Sequence, residues 1–321
     1  MTSELDPQIA MLLQKAAEAG LPKIQDLSPQ EARRQFNQNT ARLRQLAPFV
    51  DIARVVTTST GAGYGHVPVR IYDPAPDRRK PCLVYYHGGG HVLGGLDSHD
   101  GVARSLAKRA GILVVSADYR MAPEHVFPAA VNDSFDVLRS VHDTAEALGV
   151  DARAIAVGGD SAGGNLAAVV ALMSRDAGAL PLAAQVLVYP VIDYRGGTAS
   201  YARFGAGYGP LEGDTVAWFR DHYLPDASAR DDWRAVPINA KLHDLPATLL
   251  ILAECDVLVD EGRAFGQKLS AAGVPVQEHV FPGMIHAFYN YVGFVDEATR
   301  AHDVTAAFLR SVLPDTVVFS D

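Results

Sequence analysis

Gly159-Asp160-Ser161-Ala162-Gly163 matches G-x-S-x-G, a pattern that sets a serine on a sharp turn between a strand and a helix. The flanking glycines suit a crossing where strand and helix pass too close for side chains. A helix beginning just after the serine offers backbone N–H groups and the positive end of its dipole to an oxyanion formed there. Serine alone is a weak nucleophile, so acyl transfer at Ser161 needs a base and an acid from elsewhere in the chain. The competing explanation, a glycine-rich turn with an incidental serine, fits the strand–turn–helix setting poorly.

In such a strand–helix arrangement the acid and then the histidine follow the serine. The stretch "ECDVLVDEG" offers Glu254, Asp256 and Asp260. Glu254 still belongs to the end of an apolar run, and Asp260 fits the cap of the next helix. Asp256, just past the strand, is the acid of choice, with Asp260 as the fallback. Downstream, "PGMIHAFY" places His286 in a loop beyond Pro282-Gly283, whereas His279 lies within a strand pattern and His302 within a helix. His286 is therefore the expected base, and Ser161, Asp256 and His286 form the expected catalytic set.

A second unusual stretch, "VYYHGGGHVLGG" from Val84 to Gly95, sets three glycines after a histidine at the end of an apolar run. It could cradle a phosphate, hold a metal through His87 and His91, or supply oxyanion donors. A phosphate loop would carry a lysine in G-x-x-x-x-G-K-[ST], and none is there. A metal pair at His87 and His91 would need helical spacing on a segment that three glycines make a poor helix. An acyl-transfer serine, in contrast, needs N–H donors, one from Ala162 and others from an HGGG-type loop. No cofactor and no metal is expected.

These residues need a scaffold. Apolar runs at Leu83–Tyr86, Ile112–Ala117, Ala154–Val157, Gln185–Tyr189 and Thr248–Ala253, with a more polar one at Val276–Phe281, read as strands. Helical patterns at Ser98–Ala110, Ala129–Leu148, Ala162–Ala177, Glu261–Ala272 and Asp296–Leu313 lie between or after them. That alternation predicts an α/β fold, a largely parallel sheet of about eight strands covered by helices on both faces. Val55–Ser59 and Val67–Tyr72 read as a hairpin at one edge, with "GAGYG" as its turn rather than a dinucleotide site. Helices are expected near Leu5–Ala19 and over Pro29–Leu46, started by Ser28. Residues 1–50 are read as a helical cap segment and 51–321 as the catalytic domain, with a cap insertion around 191–245.

Bulk properties narrow the partners. The chain has 321 residues, with 28 basic against 37 acidic side chains and a net charge of −9, which argues against nucleic acid or an anionic membrane surface. Cys82 and Cys255 sit in apolar runs and read as buried thiols. No apolar run reaches the roughly 20 residues of a membrane span. The N-terminal stretch lacks an apolar leader core, so a cytoplasmic location is expected. The expected partner is a small ester substrate, and a homodimer is the one assembly left open.

Together "YHGGGHVLGG", "ADYRMAPEHVFPAA", "GDSAGGNLA", "ECDVLVDEG" and "PGMIHAF" closely resemble the bacterial hormone-sensitive-lipase-like family of α/β-hydrolase carboxylesterases. The resemblance runs from about residue 80 to the end. It implies an α/β-hydrolase fold, hydrolysis of short- to medium-chain esters, and Ser161, Asp256 and His286 as the triad. It also implies that Gly88, Gly89 and Ala162 form the oxyanion hole, with His87 supporting the loop. One departure is Val257, where the family commonly has proline. In "DYRMAPEH", Arg120 and Glu124 are expected to brace the glycine loop or to form plain surface ion pairs. An amidase or deacetylase with the same triad, and a non-catalytic ligand-binding protein, are the alternatives to a carboxylesterase.

Overall fold

The computed structural model describes residues 5–313. Eight strands form a single sheet: β1 (Arg54–Ser59), β2 (Pro68–Asp73), β3 (Lys80–Tyr86), β4 (Leu113–Ala117), β5 (Val150–Asp160), β6 (Ala184–Val188), β7 (Ala247–Cys255) and β8 (Val276–Ile285). Their spatial order is β1-β2-β4-β3-β5-β6-β7-β8. β2 runs antiparallel to both neighbours, and all pairs from β4 to β8 are parallel. The central strands are buried along their length, as continuous apolar runs require when both faces are covered. The α/β sheet and its edge hairpin are as the alternating pattern predicts.

The helices are α1 (Pro7–Glu18), α2 (Pro29–Arg44), α3 (Asp100–Ala110), α4 (Ala129–Asp143), α5 (Ala162–Ala177), α6 (Ala199–Phe204), α7 (Gly213–Tyr223), α8 (Val259–Ala271) and α9 (Asp296–Val312). Crossovers between parallel strands are right-handed, so the direction of each step decides which face its helix covers. The chain steps from β3 to β4 in one direction, then from β4 across β3 to β5 in the other. α3 and α4 therefore lie on opposite faces, with α9 packed beside α3 and α5 beside α4. The direction of winding reverses at β3. The crevice beyond the C-terminal ends of β3 and β5 is the switch point at which ligands bind in such sheets.

Several boundaries differ from the sequence expectation for identifiable reasons. β8 continues through Pro282-Gly283 to Ile285, because an edge strand tolerates a residue without an N–H. α3 starts at Asp100 with His99 at its cap, since the side chains of Ser98 and His99 are engaged in the loop below. α4 ends at Asp143 and the chain turns through Thr144–Leu148 into an early start of β5. Asp260 is not the cap of α8. Leu258 holds that position, and the Asp260 carboxylate accepts from the Ser200 N–H instead.

The segments before β1 and between β6 and β7 meet each other. Lys23 pairs with Glu212 at 2.6 Å, and Thr215 donates to Gln25 at 2.9 Å. α2 opens with a reciprocal capping box between Ser28 and Glu31. Its Arg33 then reaches the body of the protein, donating to the carbonyls of Val92 (2.8 Å) and Ala122 (2.6 Å) and forking onto Glu124. The Glu124 pair is half exposed and contributes little by itself. The two carbonyls are the firmer anchor, because they belong to chain that cannot move without the glycine loop. We expect Arg33→Ala to loosen α2 from the core by about 2 kcal/mol. Limited proteolysis should then cut within residues 5–45 well before the rest of the chain, with the sheet still folded by circular dichroism.

Candidate active site

β5 ends in Asp160 and α5 begins at Ala162, so Ser161 alone makes the turn. Its φ of 57° and ψ of −118° are a strained conformation for a residue with a Cβ. Three neighbours hold it there: the Ser161 N–H donates to Val188 O, and its carbonyl accepts from the N–H groups of Asn165 and Val191. The glycines around it are dictated by contact. A Cβ at Gly163 would collide with the Tyr86 carbonyl at the end of β3, and one at Gly159 with the Gly163 backbone. Helix α5 thus begins against the last turn of β3, directly beside the glycine loop.

The three residues expected to act together do converge. His286 Nε2 lies 2.8 Å from Ser161 Oγ, and His286 Nδ1 lies 2.7 Å from Asp256 Oδ2. The second Asp256 oxygen accepts from the Leu258 N–H at 2.9 Å, which fixes the carboxylate although Val257 follows it. All three side chains are buried. Glu254 is used elsewhere, accepting from the Gly283 N–H and so holding the turn that leads to His286. The Tyr189 ring, at an unusual φ of 32°, backs the imidazole at 4.6 Å between centroids.

In the glycine loop each glycine answers to a different neighbour. A side chain at Gly88 would meet Asp160, one at Gly89 the Leu93 backbone, and one at Gly90 the ring of Phe219. The Gly88 N–H, expected in the oxyanion hole, donates instead to Asp160 Oδ1 at 3.1 Å. It is not free for an oxyanion. Among the described residues the amides of Gly89, Gly90 and Ala162 carry no such acceptor. Of the expected donor set Gly88, Gly89 and Ala162, the first amide is thus already engaged by the buried carboxylate beside Ser161, whereas the other two are not.

His87 supports the loop: its Nδ1 is 2.8 Å from Gly88 O, and its ring stacks on Tyr119 at 4.3 Å. The Tyr119 hydroxyl donates to His87 O at 2.6 Å. His91 does not share a site with His87 but stacks on Tyr223 of α7 at 3.8 Å. Burial pushes both imidazoles down to about 3, so both are neutral at pH 7. Arg120 pairs with Asp133 at 2.7 Å and Glu124 with Arg33, so neither touches the glycine loop directly. Tyr119, between Asp118 and Arg120, does that work.

Composition and spacing did not single out Asp160, His99 or Asn290. Asp160 is fully buried, and its carboxylate takes the Tyr85 hydroxyl at 2.8 Å, the Gly88 amide, His99 Nε2 at 3.2 Å and Asn290 Nδ2 at 3.3 Å. Burial opposes its ionisation. The His99 charge and the hydrogen bonds of His99, Tyr85 and Asn290 outweigh that and hold the carboxyl down to about 2. A charged residue ending a buried strand was the available signal.

The buried histidines give an acid-stability signature. Between pH 6.5 and about 3, the unfolded chain protonates His87, His91 and His302 while the folded chain does not. Their contribution to stability is therefore complete above pH 6.5 and is lost as pH falls through that window. His91 makes no hydrogen bond through either ring nitrogen, so phenylalanine can replace it on the Tyr223 stack. We expect His91→Phe to reduce the drop in unfolding free energy between pH 7 and pH 5 by about 2 kcal/mol, read from urea titrations at the two pH values.

Residues 83–290 match a family model described as an alpha/beta hydrolase fold. The chain is 40% identical to the ethyl acetate hydrolase of Pseudomonas putida over 308 residues, covering 92% of this chain and 95% of that one. It is 40% identical to Carboxylesterase NlhH of Mycobacterium tuberculosis over 282 residues, 85% of this chain and 88% of that one. Among solved structures, the hyperthermophilic esterase of Pyrobaculum calidifontis superimposes with a TM-score of 0.91 at 41% identity, covering 96% and 98% of the two chains. Fold, motifs and relatives agree, and the chain belongs to the hormone-sensitive-lipase-like family of α/β-hydrolases.

Proposed function

We propose that this protein is a carboxylesterase acting on short- to medium-chain esters. The observation that carries the reading is the unbroken Ser161–His286–Asp256 hydrogen-bond line at the switch point of the sheet. His286 Nε2 takes the proton of Ser161 Oγ as that oxygen attacks the ester carbonyl. Asp256 holds the imidazole through Nδ1 and stabilises the imidazolium that forms. The carbonyl oxygen becomes an oxyanion, for which the amides of Gly89, Gly90 and Ala162 are the donors we assign. His286 then returns the proton to the departing alkoxide. In the second half-reaction it activates water, which releases the acid and restores Ser161. His286 carries one proton from Ser161 to the departing alkoxide and a second from water back to Ser161, so it is neutral again after each half-reaction.

The roof over this centre supports the preference for modest chain length. Phe219 of α7 lies against Gly90, and Gly209 packs on Ile285, the residue before His286. Residues 5–46 and 191–245 thus act as a cap that closes over both the donor loop and the base. The relatives are named for ethyl acetate hydrolysis and carboxylester hydrolysis, which fits such a site.

Ser161→Ala should lower turnover of p-nitrophenyl butyrate by roughly 10⁴-fold or more, with the protein still folded. A variant keeping wild-type turnover would overturn the assignment. Along a series of p-nitrophenyl esters, kcat/KM should peak between two and eight acyl carbons and fall beyond. Phe219→Ala should shift that peak to longer chains.

A further inference from the structure

Asp160 sits where a negative charge ought to be unwelcome, next to the nucleophile and beside the donors for an oxyanion. Nothing in the acyl-transfer steps uses it. Yet its four partners come from separate pieces of the site: Tyr85 from β3, Gly88 from the glycine loop, His99 from the cap of α3, and Asn290 from the turn just after His286. The Tyr85 hydroxyl and the Gly88 and Asn290 amides donate to it, and His99 Nε2 is the fourth contact, itself 3.3 Å from the Gly88 nitrogen. His99 is itself fixed, because its Nδ1 lies 2.8 Å from the Ser98 hydroxyl, which donates onward to Gly95 O. The Ser98 lone pair therefore faces Nδ1–H, and Nε2 is turned to Asp160 and Gly88.

We infer that Asp160, held by His99 and Asn290, is a positioning residue that sets the oxyanion hole by binding the Gly88 N–H. The glycine loop has few side chains to lock it, and Gly89 and Gly90 take positive φ values of 122° and 63°. Its peptide planes must be oriented from outside. With the first amide tied to Asp160, the next two are the ones left without a protein acceptor. His99, Tyr85 and Asn290 keep the carboxyl ionised despite its burial, so it remains a full-strength acceptor for the Gly88 N–H. Asn290 extends the same tie to the loop that carries the base. An apolar residue at 160 would leave the buried Gly88 N–H with only its longer, 3.3 Å contact to His99 Nε2, a weaker hold on the peptide plane.

This inference rests on ester hydrolysis at Ser161, which loss of turnover in Ser161→Ala establishes separately. Its own test compares Asp160→Ala and Asp160→Asn with wild type, each normalised to active sites titrated with a phosphonate. For each, kcat and KM for p-nitrophenyl butyrate are measured with the inhibition constants of a trifluoromethyl ketone, which forms an oxyanion adduct, and of the matching methylene compound, which does not. Loss of one oxyanion donor costs about 10²–10³ in kcat. Asp160→Ala should accordingly lower kcat about 100-fold with KM within threefold. The trifluoromethyl ketone should weaken by a similar factor and the methylene compound should be unchanged. Asp160→Asn keeps one oxygen for Gly88 but turns an NH2 toward donors, and should lose about tenfold in both kcat and ketone affinity. If the alanine variant does not fold, the asparagine variant carries the test. A kcat within threefold of wild type, or a fall in kcat with undiminished ketone affinity, would overturn the role.

Discussion

The start of α5 presses against the end of β3, and most of the site follows from that contact. Gly163 has no Cβ because the Tyr86 carbonyl occupies the space, and Gly159 has none because Gly163 lies there. With strand and helix this close, the one residue between them must take a φ of 57°, and Ser161 is driven out of the sheet toward the crevice. The same closeness puts the glycine loop, which continues β3, within reach of Asp160 and Ala162. A single steric constraint therefore turns Ser161 toward the crevice and brings the glycine loop and the Ala162 amide alongside.

Keeping charge in so enclosed a place requires compensation, and the structure solves the problem in three ways. Asp160 and Asp256 keep their carboxylates satisfied by converging donors. His87 and His91 are instead stripped of charge by burial and used as flat, stackable rings against Tyr119 and Tyr223. Glu261, fully buried on α8, takes a third course. Burial raises its pKa well above the ordinary carboxyl value, while it accepts the N–H groups of Ile192 and Asp193 where the chain leaves β6. That junction starts the segment whose Phe219 reaches back over Gly90.

Much of this was legible in the residues. Alternating apolar runs and helical patterns determined the parallel sheet, because a strand buried on both faces has no room for polar alternation. The order serine, aspartate, histidine, each at the end of a strand, is enough to single out Ser161, Asp256 and His286. Their chemistry depends on residue type and on position past a strand, both of which are local properties. No helix among the described residues is long and apolar enough to cross a membrane.

Other features depended on distances that no local pattern encodes. Which glycine amide is engaged is settled by a carboxylate 72 residues away in the chain, Asp160, which binds Gly88. Arg33, on a helix before the first strand, clamps the loops after β3 and β4 together through the carbonyls of Val92 and Ala122. Tyr119 rather than its neighbour Arg120 braces His87, since side chains at the end of β4 point to alternate sides. Sequence by itself determined the fold class and which three side chains converge at the switch point, because apolar periodicity and motif order are written along the chain. Tertiary structure decided which backbone amides remain unpaired and how the segment between β6 and β7 closes over them, because hydrogen-bond competition is resolved only when distant segments meet.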